Sequence, residues 1–141
     1  MNSSTLIRLI YRSVPRVGND GMDDILKTSQ RNNARMRITG ALFQQGGYFY
    51  QILEGDVQTV DALYATIAAD PRHDRLELLS REPVKSRQFE LWGMGTLNIG
   101  DKSLGYATEL LNSKVPEKVD IAVAYLWRWL IESSDQPAPQ I

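Results

Sequence analysis

Hydrophobic and polar residues alternate over residues 5–12 (Thr-Leu-Ile-Arg-Leu-Ile-Tyr-Arg), which predicts a strand with Ile7, Leu9 and Tyr11 on one face. Leu6, Arg8, Ile10 and Arg12 share the other. From about Gly21 to Asn33 the spacing changes: Met22, Ile25, Leu26 and Ser29 recur at three- and four-residue steps, and Asp23 and Asp24 fall where a helix dipole favours anions. Residues 38–45 and 48–54 are two extended runs joined by Gly46-Gly47, a pair suited to the positive φ angles of a two-residue hairpin turn. Gly55-Asp56 ends the hairpin. Asp56 is the predicted N-cap of a helix over 57–69, with Val57, Val60, Leu63, Tyr64, Ile67 and Ala68 on its apolar stripe. Asp70-Pro71 stops that helix, and strands are predicted over 76–84 and 92–99. Two helices follow, 104–112 capped by Ser103 and 117–133 opened by Pro116; the second carries Val119, Ala122, Val123, Leu126, Trp127 and Leu130.

The order β-α-β-β-α-β-β predicts an α+β, ferredoxin-like sandwich with helices on one sheet face and an extra strand. The stripe of the last helix then needs the sheet's opposite face, so two additional C-terminal helices are expected there. Residues 1–100 read as the sandwich and 101–141 as the helical extension, with a frayed tail from about 134.

Composition removes many chemistries. The chain has 141 residues, 16 Lys+Arg against 17 Asp+Glu, one His and no Cys. Disulfides, thiolate nucleophiles, thiolate metal sites and cysteinyl adducts are excluded, and a single His excludes a multi-histidine metal site. No metal is expected. A formal net charge of -1 argues against nucleic acid as a partner. Apolar runs are far shorter than the ~20 residues of a membrane span, and the N-terminus lacks the pattern of a signal peptide, so a cytoplasmic protein is expected.

Three polar positions break the apolar pattern of the predicted buried face. Tyr11 lies in line with Ile7 and Leu9, Gln51 lies between Phe49 and Leu53, and Asn32-Asn33 sit at a helix end. Each has an ordinary explanation: a strand Tyr packs in a core, and Asn caps helices. A carboxamide in an apolar row must find partners, because burying it unpaired costs roughly 1–3 kcal/mol. Asp70-Pro71-Arg72-His73 alone is a polar loop after a helix, and Trp92 and Met94 alone are core residues.

Their combined order carries more than any one of them. Arg-Leu-Ile-Tyr at 8–11, Ser-Gln-Arg-Asn-Asn at 29–33, Ile-Thr-Gly at 38–40, Tyr-Gln-Ile-Leu-Glu-Gly at 50–55, Asp-Pro-Arg-His at 70–73 and Phe-Glu-Leu-Trp-Gly-Met at 89–94 together resemble the BLUF family of flavin-binding blue-light sensors. The resemblance covers about residues 5–100, and the remainder resembles the helical extension of short, stand-alone members with no fused output enzyme.

The resemblance implies a flavin ring held between the helices at 21–33 and 57–69. Tyr11 is then the electron and proton donor, and Gln51 the amide linking that phenol to the ring. Asn33 holds the pyrimidine edge of the ring, with Asn32 its neighbour at the flavin. Asp70, Arg72 and His73 form the polar loop at the ring's other polar edge or the ribityl chain, while Ser29, Trp92 and Met94 surround the glutamine. Where some members carry a basic residue in the second helix, this chain has Thr66. FAD is the implied cofactor; FMN and riboflavin share the same ring. The implied output passes to a separate signalling protein without catalytic turnover, and a homodimer is expected. Two readings compete: an acylphosphatase-like small enzyme, for which no nucleophile–base pair is evident, and a non-photoactive ligand-binding module on the same fold.

Overall fold

The computed structural model describes residues 5–15, 36–71, 73–89, 95–97 and 101–132. Strand β1 spans Leu6–Pro15, β2 Thr39–Gln45 and β3 Tyr48–Asp56. Helix α1 is Val57–Ala68, β4 His73–Pro83 and β5 Gly95–Leu97; helices α2 and α3 are Asp101–Asn112 and Pro116–Glu132. The helix predicted at 21–33 and most of the strand predicted at 92–99 lie outside the described residues.

The sheet order is β4-β1-β3-β2-β5. β1 runs antiparallel to β3 and β4, β2 antiparallel to β3, and β5 adds to the β2 edge in parallel. This is the ferredoxin-like order with the extra strand at one edge. Gly46 and Gly47 take φ of 61° and 83°, the mirror-image turn that matches strand twist.

Alternation sorts the sheet into two apolar layers. On one face Ile7, Leu9, Tyr11, Leu42, Phe49 and Leu53 pack with Val60 of α1. On the other, Ile10, Ala41, Phe43, Tyr50, Ile52 and Leu79 pack with Leu104, Leu111, Val119, Ala122, Val123 and Leu126 of α2 and α3. The two C-terminal helices therefore cover the face that α1 leaves open. Asp56 caps α1 as expected, its carboxylate accepting from Gln58 N at 3.1 Å.

Several predicted boundaries are corrected. β1 runs on to Pro15 and β3 to Asp56, because each is paired with its neighbour well past its apolar stretch. β4 begins at His73, which pairs with Pro15, so His73 opens a strand rather than ending a polar loop. Helix α2 starts at Asp101, which puts Ser103 inside it and not at its cap; Pro116 is the first residue of α3. Ala68 is exposed, since the α1 stripe turns off the sheet at its last residue.

Candidate functional site

β1 and β3 are neighbours at the centre of the sheet, and their register sets Tyr11 directly opposite Gln51. Both point into the layer under α1 and are 1% and 4% exposed, respectively. Tyr11 Oη donates a hydrogen bond to Gln51 Oε1. With its oxygen engaged there, the carboxamide has two N–H donors at its other end. The Tyr64 ring, on α1, lies 5.6 Å from the Tyr11 ring at an interplanar angle of 57°. An apolar layer thus encloses a phenol and an amide, with a second, partly buried phenol packed against it.

Burial pushes the Tyr11 phenol far above its ordinary ionisation range, and Tyr64 and Asp70 push it further in the same direction. Burial also raises Tyr64. Tyr11 is therefore a neutral hydrogen-bond donor at every physiological pH. The consequence for stability has a definite sign. The native pKa lies above the unfolded value of 10.0, so nothing is lost below that pH and stability falls as pH rises beyond it toward the native value. Urea midpoints are expected to drop above about pH 10, less steeply in Tyr11→Phe than in the parent; equal slopes would refute the assignment.

Asp70 follows α1, its backbone N–H donating to Ile67 O at 3.0 Å, and its charge acts on Tyr11. Thr66 is exposed, and its hydroxyl donates to Ala62 O at 3.1 Å, so that side chain is engaged with its own helix. Ser29, Asn32, Asn33, Arg72, Trp92 and Met94 lie outside the described residues, as does the His73 side chain. The structure brings together Tyr11 and Gln51, with Asp70 in electrostatic reach.

Glu54 was given no role by pattern reasoning, yet it is 1% exposed and holds the segment after β4. Its Oε1 accepts from Thr39 Oγ1 at 2.8 Å and Phe89 N at 2.9 Å, and its Oε2 from Gln88 N at 2.6 Å. Arg87 Nη1 donates to the Glu54 backbone carbonyl at 2.9 Å. The clue available in the sequence is the one that marked Gln51: a polar side chain in an apolar row, here in line with Tyr50 and Ile52.

The donor set fits a flavin. A ring with carbonyl and imine acceptors needs N–H donors beside an apolar surface, and the Gln51 amide among Leu9, Phe49 and Leu53 supplies both. Among the described residues no cluster of His, Asp or Glu suits a metal ion, and no helix is long and apolar enough to cross a membrane.

Fold and site together are those of a ferredoxin-like α+β domain that keeps a redox-capable phenol and an amide in one buried contact. Residues 6–95 match the family described as BLUF, sensors of blue-light using FAD, and the chain belongs to that family. It is 30% identical over 93 residues to the photoactivated adenylate cyclase subunit alpha of Euglena gracilis and 33% identical over 91 residues to the blue light- and temperature-regulated antirepressor BluF of Escherichia coli. Each match covers 63% of this chain but only 9% and 23% of those proteins. Among solved structures, the dark state of the BLUF protein BlrB superposes with a TM-score of 0.74 at 33% identity, covering 93% of this chain and 98% of that one. Klebsiella pneumoniae BlrP1 with FMN and cyclic diGMP gives 0.65 at 26% identity, covering 91% of this chain and 35% of that one. The chain accordingly carries a domain of the flavin-using blue-light sensor family over residues 6–95.

Proposed function

We propose that this chain binds FAD without a covalent bond, converts blue light into a rearranged hydrogen bond at Gln51, and passes that state to a separate partner protein without catalysing a reaction itself. The buried Tyr11–Gln51 hydrogen bond between paired central strands is the observation that supports it most strongly. Bound flavin supplies the absorption of blue light and a strongly oxidising excited state. Tyr11 then serves as the donor of an electron and, through the Gln51 amide, of its proton. The carboxamide suits this relay because one end accepts and the other donates. With flavin bound, return of the electron and proton to Tyr11 would leave the amide in a different orientation or tautomer, its hydrogen bonds no longer matching the starting set.

Asp70, Arg72 and His73, with Asn32 and Asn33, hold the polar edges of the ring in this reading; Ser29, Trp92 and Met94 respond to the amide. Residues 1–100 form the sensor and 101–141 its extension, in a cytoplasmic homodimer. FAD is favoured because the family is described as using it; BlrP1, a relative in fold, is described with FMN. Purified protein is expected to be yellow and to show a reversible red shift under blue light. Colourless protein that takes up none of FAD, FMN or riboflavin would reject the proposal, and so would bound flavin without a shift.

A further inference from the structure

Alternation that sends Tyr11 and Gln51 to one face of the sheet sends their chain neighbours Arg12 and Tyr50 to the other, and the register pairs those two directly as well. Tyr50 is buried there and Arg12 half-buried. Arg12 Nε and Nη2 lie 2.9 and 2.8 Å from Glu77 Oε1, and the guanidinium sits 4.3 Å from the centre of the Tyr48 ring. Arg12 Nη1 donates to Asn112 Oδ1 at 3.2 Å, and Asn112 Nδ2 donates to Tyr50 Oη at 3.2 Å. Asn112 ends α2. Lys114, in the turn to α3, closes the ring of contacts with Nζ 2.7 Å from Glu77 Oε2. Both neighbours of the phenol–amide pair thus meet on one side chain at the end of an output helix.

The backbone around this point is irregular. The β1–β4 pairing shifts register between Ile10 and Tyr11 and again between Arg12 and Val14. Tyr11-Arg12 is therefore a two-residue stretch bracketed by two breaks in the ladder. The ladder is interrupted on either side of the stretch, where such irregularities bend a strand and re-aim its side chains, while Tyr11 and Arg12 themselves stay paired with Leu78 and Glu77.

We propose that Arg12, Tyr50 and Asn112 are positioning residues that carry the state of the Tyr11–Gln51 pair through the sheet to the α2–α3 turn. The inference rests on the photoreceptor reading above. A reoriented Gln51 changes its bond to Tyr11, and the adjoining Arg12–Tyr50 spacing changes with it. At the present spacing Asn112 holds both, its Oδ1 accepting from Arg12 Nη1 and its Nδ2 donating to Tyr50 Oη, and a changed spacing weakens one of these bonds. Because Asn112 is exposed, water replaces the lost bond at modest cost, which makes the two arrangements comparable in free energy.

Hydrogen exchange of the full, flavin-loaded chain in darkness and under blue light, with absorption recorded in parallel, tests this. The parent is expected to show the red shift together with a light-dependent exchange difference over residues 108–119. Asn112→Ala and Tyr50→Phe should keep the red shift and reduce that difference by about fivefold or more. Both should fold: Asn112 is exposed, and Phe at 50 keeps the stacked ring contact with Phe43 at 5.1 Å. Asp120→Asn, which weakens the separate Arg8–Asp120 ion pair at 2.8 Å, should leave both readouts unchanged.

An exchange difference that persists in both variants overturns the proposal. It is equally overturned if the parent shifts without any difference, if the variants lose the red shift itself, or if Asp120→Asn abolishes the difference as fully. Absence of the red shift in the parent removes the photoreceptor reading instead, and this inference with it.

Discussion

Tyr11→Phe is expected to retain bound flavin and to lose the light-induced red shift completely. The substitution removes one oxygen and leaves the ring in its apolar layer with Leu9, Leu53 and the Tyr64 ring. A phenyl ring is far harder to oxidise than a phenol and has no acidic proton, so neither half of the donor's task survives. The cost to folding is small by comparison. Gln51 Oε1 loses its donor, worth about 1–3 kcal/mol if nothing replaces it, and the variant no longer carries a phenol that resists ionisation. Absorption spectra before and after illumination decide the matter. A normal photocycle in this variant transfers the donor's role elsewhere, and Tyr64, one ring away on α1, becomes the residue to change next.

Gly40→Ala should have the largest effect on the fold. Gly40 pairs with Leu53 in the β2–β3 ladder, and a Cβ built there would stand 1.8 Å from the carbonyl oxygen of Ile52. The obstacle is backbone in a central strand, with no flexible side chain that could swing aside. Relief requires β2 to move away from β3, which breaks ladder hydrogen bonds and disturbs the strand that carries Gln51. A loss of about 3 kcal/mol or more is expected, a large share of the roughly 5–15 kcal/mol that keeps such a domain folded. Thermal unfolding followed by circular dichroism is the check; a melting temperature within a few degrees of the parent would show that the strands separate more easily than this geometry implies. The glycine that ends the Ile-Thr-Gly motif thus has a structural reason, close approach of two backbones, that makes no reference to flavin.

Much of the architecture is legible in the sequence. The period-2 run at 5–12 correctly placed Tyr11 with Ile7 and Leu9, and the apolar stripe at 119–130 correctly called for a second covered face. Asp56 and Gly46-Gly47 announced a helix start and a hairpin through local chemistry alone. Boundaries fared worse where pairing outlasts hydrophobicity. His73 joins β4 because Pro15 lies opposite it, and no feature of Asp-Pro-Arg-His reveals that partner. Ser103 resembles a cap, but the helix had already begun at Asp101.

Glu54 shows the limit on sites. It shares a row with Tyr50 and Ile52, but its partners include backbone N–H groups at 88 and 89, and the main chain looks alike at every position of a sequence. The two interruptions around Tyr11-Arg12 were hidden for a related reason: a bulge is a property of two strands, and β1 and β4 are distant along the chain.

Residue order by itself determined which side chains share a face, where the turns fall, and that a phenol and a carboxamide stand among apolar neighbours, because those properties depend on spacings of a few residues and on local dihedral preferences. Tertiary structure alone decided that Tyr11 and Gln51, 40 positions apart, are the same rung of one ladder, and that Arg12 and Tyr50 form the next rung on the reverse face. Register is set by the pairing of whole strands, and a slip of a single residue would have turned every one of these side chains to the opposite side.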